Sequence, residues 1–165
     1  MINSIVIVLS DRASQGVRED KSGEILVRLL EDNGFEVKEK IIIPDEKFLL
    51  ENLLNEYINK VDMIITSGGT GITDRDITPD ITLKFIKKRL EGIEYAMIHY
   101  GLKHTPMAAI SRAVAGLNGN TLIINLPGNP NAIEQNFLPL IPAIKHLFQK
   151  LKNQEEDCSE QIKRL

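Results

Sequence analysis

The chain has 165 residues, a net charge of −3, and 42% hydrophobic against 26% charged residues. That length fits one domain and that balance excludes wholesale disorder. One cysteine excludes an internal disulfide and a cysteine-rich zinc cage, and the acidic pI of about 5.7, with no Trp, argues against a nucleic-acid surface.

No stretch reaches the roughly 18 apolar residues of a membrane span, and no basic segment precedes an apolar leader core. A soluble cytoplasmic protein is expected. Along the chain, residues 5–9 form a continuous β-branched run, which predicts a strand buried on both faces. Ile25, Leu26, Leu29 and Leu30 then recur at helical spacing, and Asn33-Gly34 stops that helix. Residues 35–43 predict a second strand closed by Pro44. Asp45 is a candidate cap for a helix whose apolar face carries Phe48, Leu49, Leu53, Leu54, Tyr57 and Ile58. Residues 61–66 predict a third buried strand, and a glycine-rich loop follows.

Thr78-Pro79 reads as a cap followed by proline at the first helical position, with the helix running to about residue 90. A further helix is predicted over 93–102. Residues 109–115 and 121–126 are predicted as strands of a hairpin around Asn118-Gly119-Asn120. The last helical region opens at Asn129-Pro130 and should break near Leu138, because Pro139 and Pro142 lie inside it. Residues 153–165 read as a polar tail beyond a domain spanning 1–152. Alternating strands and helices predict an α/β fold: a three-layer α/β/α sandwich with a mostly parallel sheet and one antiparallel hairpin.

In open parallel sheets, ligands bind beyond the carboxyl ends of the strands. Three polar segments should therefore converge: 10–14, 67–80 and 127–131. Ser67-Gly68-Gly69-Thr70-Gly71 packs three glycines into five residues, which suits backbone N–H groups facing a phosphate and equally suits a tight turn. No Gly-Lys-Ser/Thr makes it a Walker loop. Asp74, Asp76 and Asp80 crowd the stretch behind it. Carboxylates beside a phosphate call for a bridging divalent cation, with Asp45 as a further ligand. Asp76 has no evident structural job, and Arg75 could pair with phosphate or with these aspartates. Pro127-Gly128-Asn129-Pro130 is a rigid turn into a helix N-terminus that could face a second anion. His99, His104 and His146 lack metal-ligand spacing, and Cys158 has no basic neighbour to activate it.

Taken in order, Ser10-Asp11-Arg12-Ala13-Ser14, Asp20-Lys21-Ser22-Gly23, Ser67-Gly68-Gly69-Thr70-Gly71, Arg75-Asp76-x-Thr78-Pro79-Asp80 and Leu126-Pro127-Gly128-Asn129-Pro130 resemble the MogA/MoaB-type molybdopterin-binding family over about residues 3–150. The opening motif and Ser111-Arg112 resemble its MogA branch of molybdopterin adenylyltransferases. The segment Ile72-Thr73-Asp74 is closer to the MoaB branch. The resemblance implies the molybdopterin-binding fold and a Mg²⁺-dependent attack of the molybdopterin phosphate on ATP. Adenylylated molybdopterin and pyrophosphate result, for delivery to a molybdate-insertion enzyme. It implies Asp45 and Asp76 as catalytic and Mg²⁺-binding residues. It further implies that Ser67, Gly68, Gly69, Thr70, Gly71 and Arg75 hold phosphate. Pro127, Gly128, Asn129 and Pro130 would help to build the pterin side, and Ser10, Asp11, Ser111 and Arg112 are further substrate contacts. A homotrimer is expected, and a non-catalytic pterin carrier is the alternative of a different class.

Overall fold

A computed structural model describes residues 1–152; the polar tail and Cys158 lie outside them. Six strands form one sheet: β1 (Ile2–Leu9), β2 (Phe35–Ile43), β3 (Met63–Ser67), β4 (Lys88–Arg89), β5 (Ala115–Asn118) and β6 (Thr121–Leu126), in the order β2-β1-β3-β6-β5-β4. The pairs β1–β2, β1–β3 and β3–β6 are parallel, whereas β5 runs antiparallel to both β6 and β4.

The central strands are buried on both sides, which is why their sequences are continuous apolar runs. Side chains alternate between two cores. Val6 and Val8 of β1 face one, with Leu26 and Leu30 of α2 (Lys21–Asp32), Met97 of α5 (Glu91–Leu102), Phe137 of α6 (Pro130–Phe137) and Ile144 of α7 (Ile141–Lys152). Ile5, Ile7 and Leu9 face the other, with Leu50 and Leu54 of α3 (Lys47–Tyr57) and Ile81 of α4 (Thr78–Phe85). The three layers are those the alternation predicts. No helix of the described residues is long and apolar enough to cross a membrane.

Several boundaries differ from the sequence reading. The hairpin partner of β6 is Ala115–Asn118, not 109–115. Asn118 faces Thr121, so the turn is Gly119-Asn120, with Gly119 at φ +58°. Residues Pro106–Ile110 instead form a 3₁₀ turn capped by Thr105, whose hydroxyl accepts from Met107 N–H. The helix from Thr78 stops at Phe85, because Ile86 turns extended and Lys88–Arg89 pairs with β5. Thr78 lies inside this helix and Ile77 precedes it as the cap position. Asp45 does not cap α3, whose cap position is Glu46 without a side-chain bond. The break at Leu138–Leu140 falls where the two prolines place it.

Candidate functional site

The carboxyl ends of β1, β3 and β6 lie side by side, so the three polar segments meet as their topology predicts. They enclose a cleft of about 380 Å³ bordered by Ser10, Asp45, Gly68 to Gly71, Arg75, Asp76, Gly128 and Pro130. Glycine is obligatory at its floor. Gly68 has φ +103°, and a Cβ there would stand 2.3 Å from the Leu9 carbonyl oxygen. Gly69 has φ +62°, and its Cβ would stand 2.4 Å from Thr78 Oγ1. The loop is stapled to its neighbours. Gly68 N–H donates to Leu126 O at 3.0 Å, Thr78 Oγ1 donates to Gly68 O at 2.9 Å, and Thr78 N–H donates to Gly69 O at 3.1 Å. Ser67 is fully buried and donates to Pro127 O at 3.3 Å, so it ties two segments together rather than facing the cleft.

Two carboxylates flank this loop. A Cβ on Gly69 would be 3.1 Å from Asp45 Oδ1, and one on Gly71 would be 2.8 Å from Asp76 Oδ2. Asp45 accepts from Asp11 N–H at 3.2 Å while its own N–H donates to Asp11 Oδ1 at 3.0 Å. Burial raises the Asp45 carboxyl above its ordinary pKa, and the charges of Asp11 and Asp76 add to that. Asp76 is anchored: its Oδ2 accepts from Thr73 N–H at 2.8 Å and from Thr73 Oγ1 at 2.7 Å. Burial works to raise its pKa, but hydrogen bonds from Thr73 and Gly71 and the charge of Arg112 outweigh it and hold the carboxyl low. Asp76 therefore has a structural job, closing the 73–76 turn, that its sequence position does not reveal. Among the described residues no group of three or more His, Cys, Asp or Glu side chains is set to cage a metal. Asp45 and Asp76 nevertheless suit Mg²⁺, which takes one or two carboxylates and completes its shell with phosphate and water oxygens.

Arg75 is spent on other carboxylates than the sequence suggests. Its guanidinium donates to Asp11 at 2.7 and 3.2 Å and to Glu46 at 3.1 Å. The bond from Arg75 holds the Asp11 carboxyl below its usual range. Asp11 thus links Arg75 to Asp45 and positions both. Arg112 braces the loop from outside the cleft. It donates to Gly71 O at 2.6 Å, to Asp76 O, and to both Asp80 oxygens at 3.0 Å. Ser10 borders the cleft while its hydroxyl caps the short helix α1 (Asp11–Ser14).

A second cavity of about 220 Å³ shares the Thr70–Gly71 wall. Ser111, Pro127 and Asn129 border this one and not the first cleft, with Met97, Ile98, Ala108 and Ile110 supplying apolar surface. Asn129 caps α6, its Oδ1 accepting from Asn131 N–H at 3.0 Å. The sequence reading missed Arg18, Lys21 and Ser22 on the first cleft; Lys21 and Ser22 belong to the Asp20-Lys21-Ser22-Gly23 motif, which is the signal available. It also missed Glu94 and Asn136 on the second cavity, which sit in ordinary helical pattern.

A glycine floor flanked by two carboxylates lies beyond the ends of parallel strands, where open α/β sheets place their ligand sites. Residues 5–146 match the model of the probable molybdopterin binding domain. The chain belongs to that molybdopterin-binding family. It is 40% identical over 148 residues to the molybdopterin adenylyltransferase of Helicobacter pylori J99, covering 86% of this chain and 82% of that one. A solved structure of MogA superposes with a TM-score of 0.85 at 35% identity, covering 90% of this chain and 99% of that one. MoaB from Thermus thermophilus gives a TM-score of 0.81, also at 35% identity, covering 91% and 98%. The chain spans 21% of the length of gephyrin from Dictyostelium discoideum, to which it is 36% identical over 155 residues, 86% of this chain.

Proposed function

We propose that this chain is a molybdopterin adenylyltransferase: it transfers the adenylyl group of ATP to the terminal phosphate of molybdopterin with Mg²⁺. An oxygen of the pterin phosphate attacks the α-phosphorus of ATP. The bond from that phosphorus to the bridging oxygen breaks, and its electron pair leaves with pyrophosphate. The attacking oxygen is already anionic, so this chemistry needs no Ser, Cys or His nucleophile. It needs two phosphates aligned and their charge offset.

The observation that carries the reading is the pair Asp45 and Asp76 on either side of Gly69 and Gly71. These carboxylates would hold Mg²⁺, which when bound offsets charge on phosphate oxygens. The glycine floor offers backbone to phosphate at close range. Asp11 keeps Arg75 and Asp45 in place, and Arg112 fixes the loop from behind. Ser10 belongs to the cleft wall; Ser111, Pro127 and Asn129 belong to the side that takes the second substrate.

Delivery of the product to a molybdate-insertion enzyme, a cytoplasmic setting and a homotrimer complete the proposal. Support for self-association comes from α5 and the turn after it, which leave Tyr95 71% and Met107 63% exposed. The Ile72-Thr73-Asp74 segment favours a second reading, a MoaB-type protein of cofactor assembly. A carrier that binds pterin without chemistry is the alternative of a different class. Incubation with molybdopterin, ATP and Mg²⁺ separates the adenylyltransferase from the carrier. An adenylyltransferase releases pyrophosphate only when the pterin is present and stops on chelation of Mg²⁺. A carrier binds pterin and releases none.

A further inference from the structure

Asn136, on α6, borders the second cavity and is only 7% exposed. Its Oδ1 is the one buried side-chain nitrogen or oxygen among the described residues with no hydrogen-bond partner. The carboxamide is pressed against α5: a Cβ on Gly101 would stand 3.0 Å from Oδ1. An unmet buried acceptor destabilises the free protein, and an apolar side chain of similar size would not. Several neighbouring polar side chains already accept a hydrogen bond. Glu94 accepts from Arg89 and from Ala115 N–H, while Thr105, Ser111 and Asn129 each accept a backbone N–H.

We propose that Asn136 is a specificity-determining residue that reads the hydrogen-bonding edge of the pterin ring. This rests on the reaction proposed above. The triphosphate of ATP belongs with Asp45 and Asp76 in the first cleft, which leaves the second, largely apolar cavity for the ring of the other substrate. Met97, Ile98 and Ala108 offer apolar surface to the faces of a flat heterocycle. The cavities meet at Thr70 and Gly71, so a phosphate attached to that ring reaches the glycine floor. A half-turn about the last side-chain torsion exchanges the carboxamide ends, so the end at the cavity can present either an acceptor or a donor to the amide or amino group of a pterin.

The test is calorimetric binding of molybdopterin and, separately, of ATP with Mg²⁺ to wild type, Asn136→Leu and Asn136→Ala. For Asn136→Leu, molybdopterin affinity should fall about tenfold, the size of one neutral hydrogen bond. ATP affinity should not change, and the free variant should melt at or above the wild-type temperature. Asn136→Ala should show the same split between ligands, and its ATP binding certifies the fold. Unchanged molybdopterin affinity in either variant overturns the role of Asn136 alone. Equal loss of both ligands, or a lower melting temperature for Asn136→Leu, makes the residue structural and overturns it too. A wild-type protein that binds no molybdopterin overturns the proposed reaction as well.

Discussion

Asp76 combines two jobs that a single substitution would confound. It closes the 73–76 turn through Thr73, and it stands on the flank of the glycine floor. Asp76→Asn keeps an acceptor for Thr73 and loses the charge. Turnover is expected to fall by roughly a hundredfold, about 3 kcal/mol of transition-state stabilisation, with molybdopterin affinity nearly unchanged. Thr73→Val keeps the charge and removes one bond to it, so its steady-state loss should be much smaller. Asp74→Asn, at an exposed position, should leave turnover near normal. Asp45 makes a different prediction. Its folded pKa is raised, so the folded state binds protons more readily than the unfolded chain, and stability is lost as pH rises through that range. At a pH high enough to ionise the carboxyl, and without divalent cations, Asp45→Asn should melt higher than wild type. Mg²⁺ with ATP should raise the melting temperature of wild type and not of the variant. Asp76 was legible from sequence as an acidic residue just after the glycine loop, and Asp45 as one that follows the second strand. Their tethers were not, because Asp11, 34 positions from Asp45, becomes its neighbour only through the pairing of β1 with β2.

The glycine loop is rigid because three elements hold it, and the sequence shows only the loop. Thr78 at the start of α4, Leu126 at the end of β6 and Arg112 before β5 each bond to its backbone. Gly69→Val therefore does more than fill phosphate space. At φ +62° with Thr78 Oγ1 in the way, it strains the backbone and breaks the staple to α4. We expect loss of ATP binding together with destabilisation of about 1–3 kcal/mol, measured by urea unfolding. Strand and helix identities were legible wherever apolar runs or helical spacing were long. They failed where pairing decides. Residues 109–115 are apolar enough for a strand, yet the two-residue turn at Gly119-Asn120 sets the register and admits only Ala115–Asn118. Lys88–Arg89 continues a helical pattern but is drawn into the sheet by β5 and by Arg89 pairing with Glu94.

At the scale of the molecule, the parallel strands β1, β3 and β6 bring segments more than a hundred residues apart to one edge, and two cavities open on either side of their shared loop. One carries Asp45 and Asp76; the other is largely apolar and carries Asn136. That division suits the proposed reaction between a triphosphate and a ring-bearing phosphate. The first cavity was foreseeable from topology and motifs. The second arises from packing of α5, α6 and the Pro106–Ile110 turn, which no local pattern encodes. On the outside, Tyr95 and Leu102 leave apolar surface that the proposed trimer would cover. Light scattering should give three times the 18.5 kDa of one chain, and Tyr95→Glu should shift it toward the monomer.

The central claim is transfer of the α-phosphoryl group with its nucleoside to the pterin, and isotope position reports it directly. Molybdopterin and Mg²⁺ are incubated with ATP labelled at either the α- or the γ-phosphorus, and the products are separated. The α-label should appear in the pterin product and the γ-label in pyrophosphate alone. A γ-label on the pterin, or pterin bound with neither label transferred, would contradict the account.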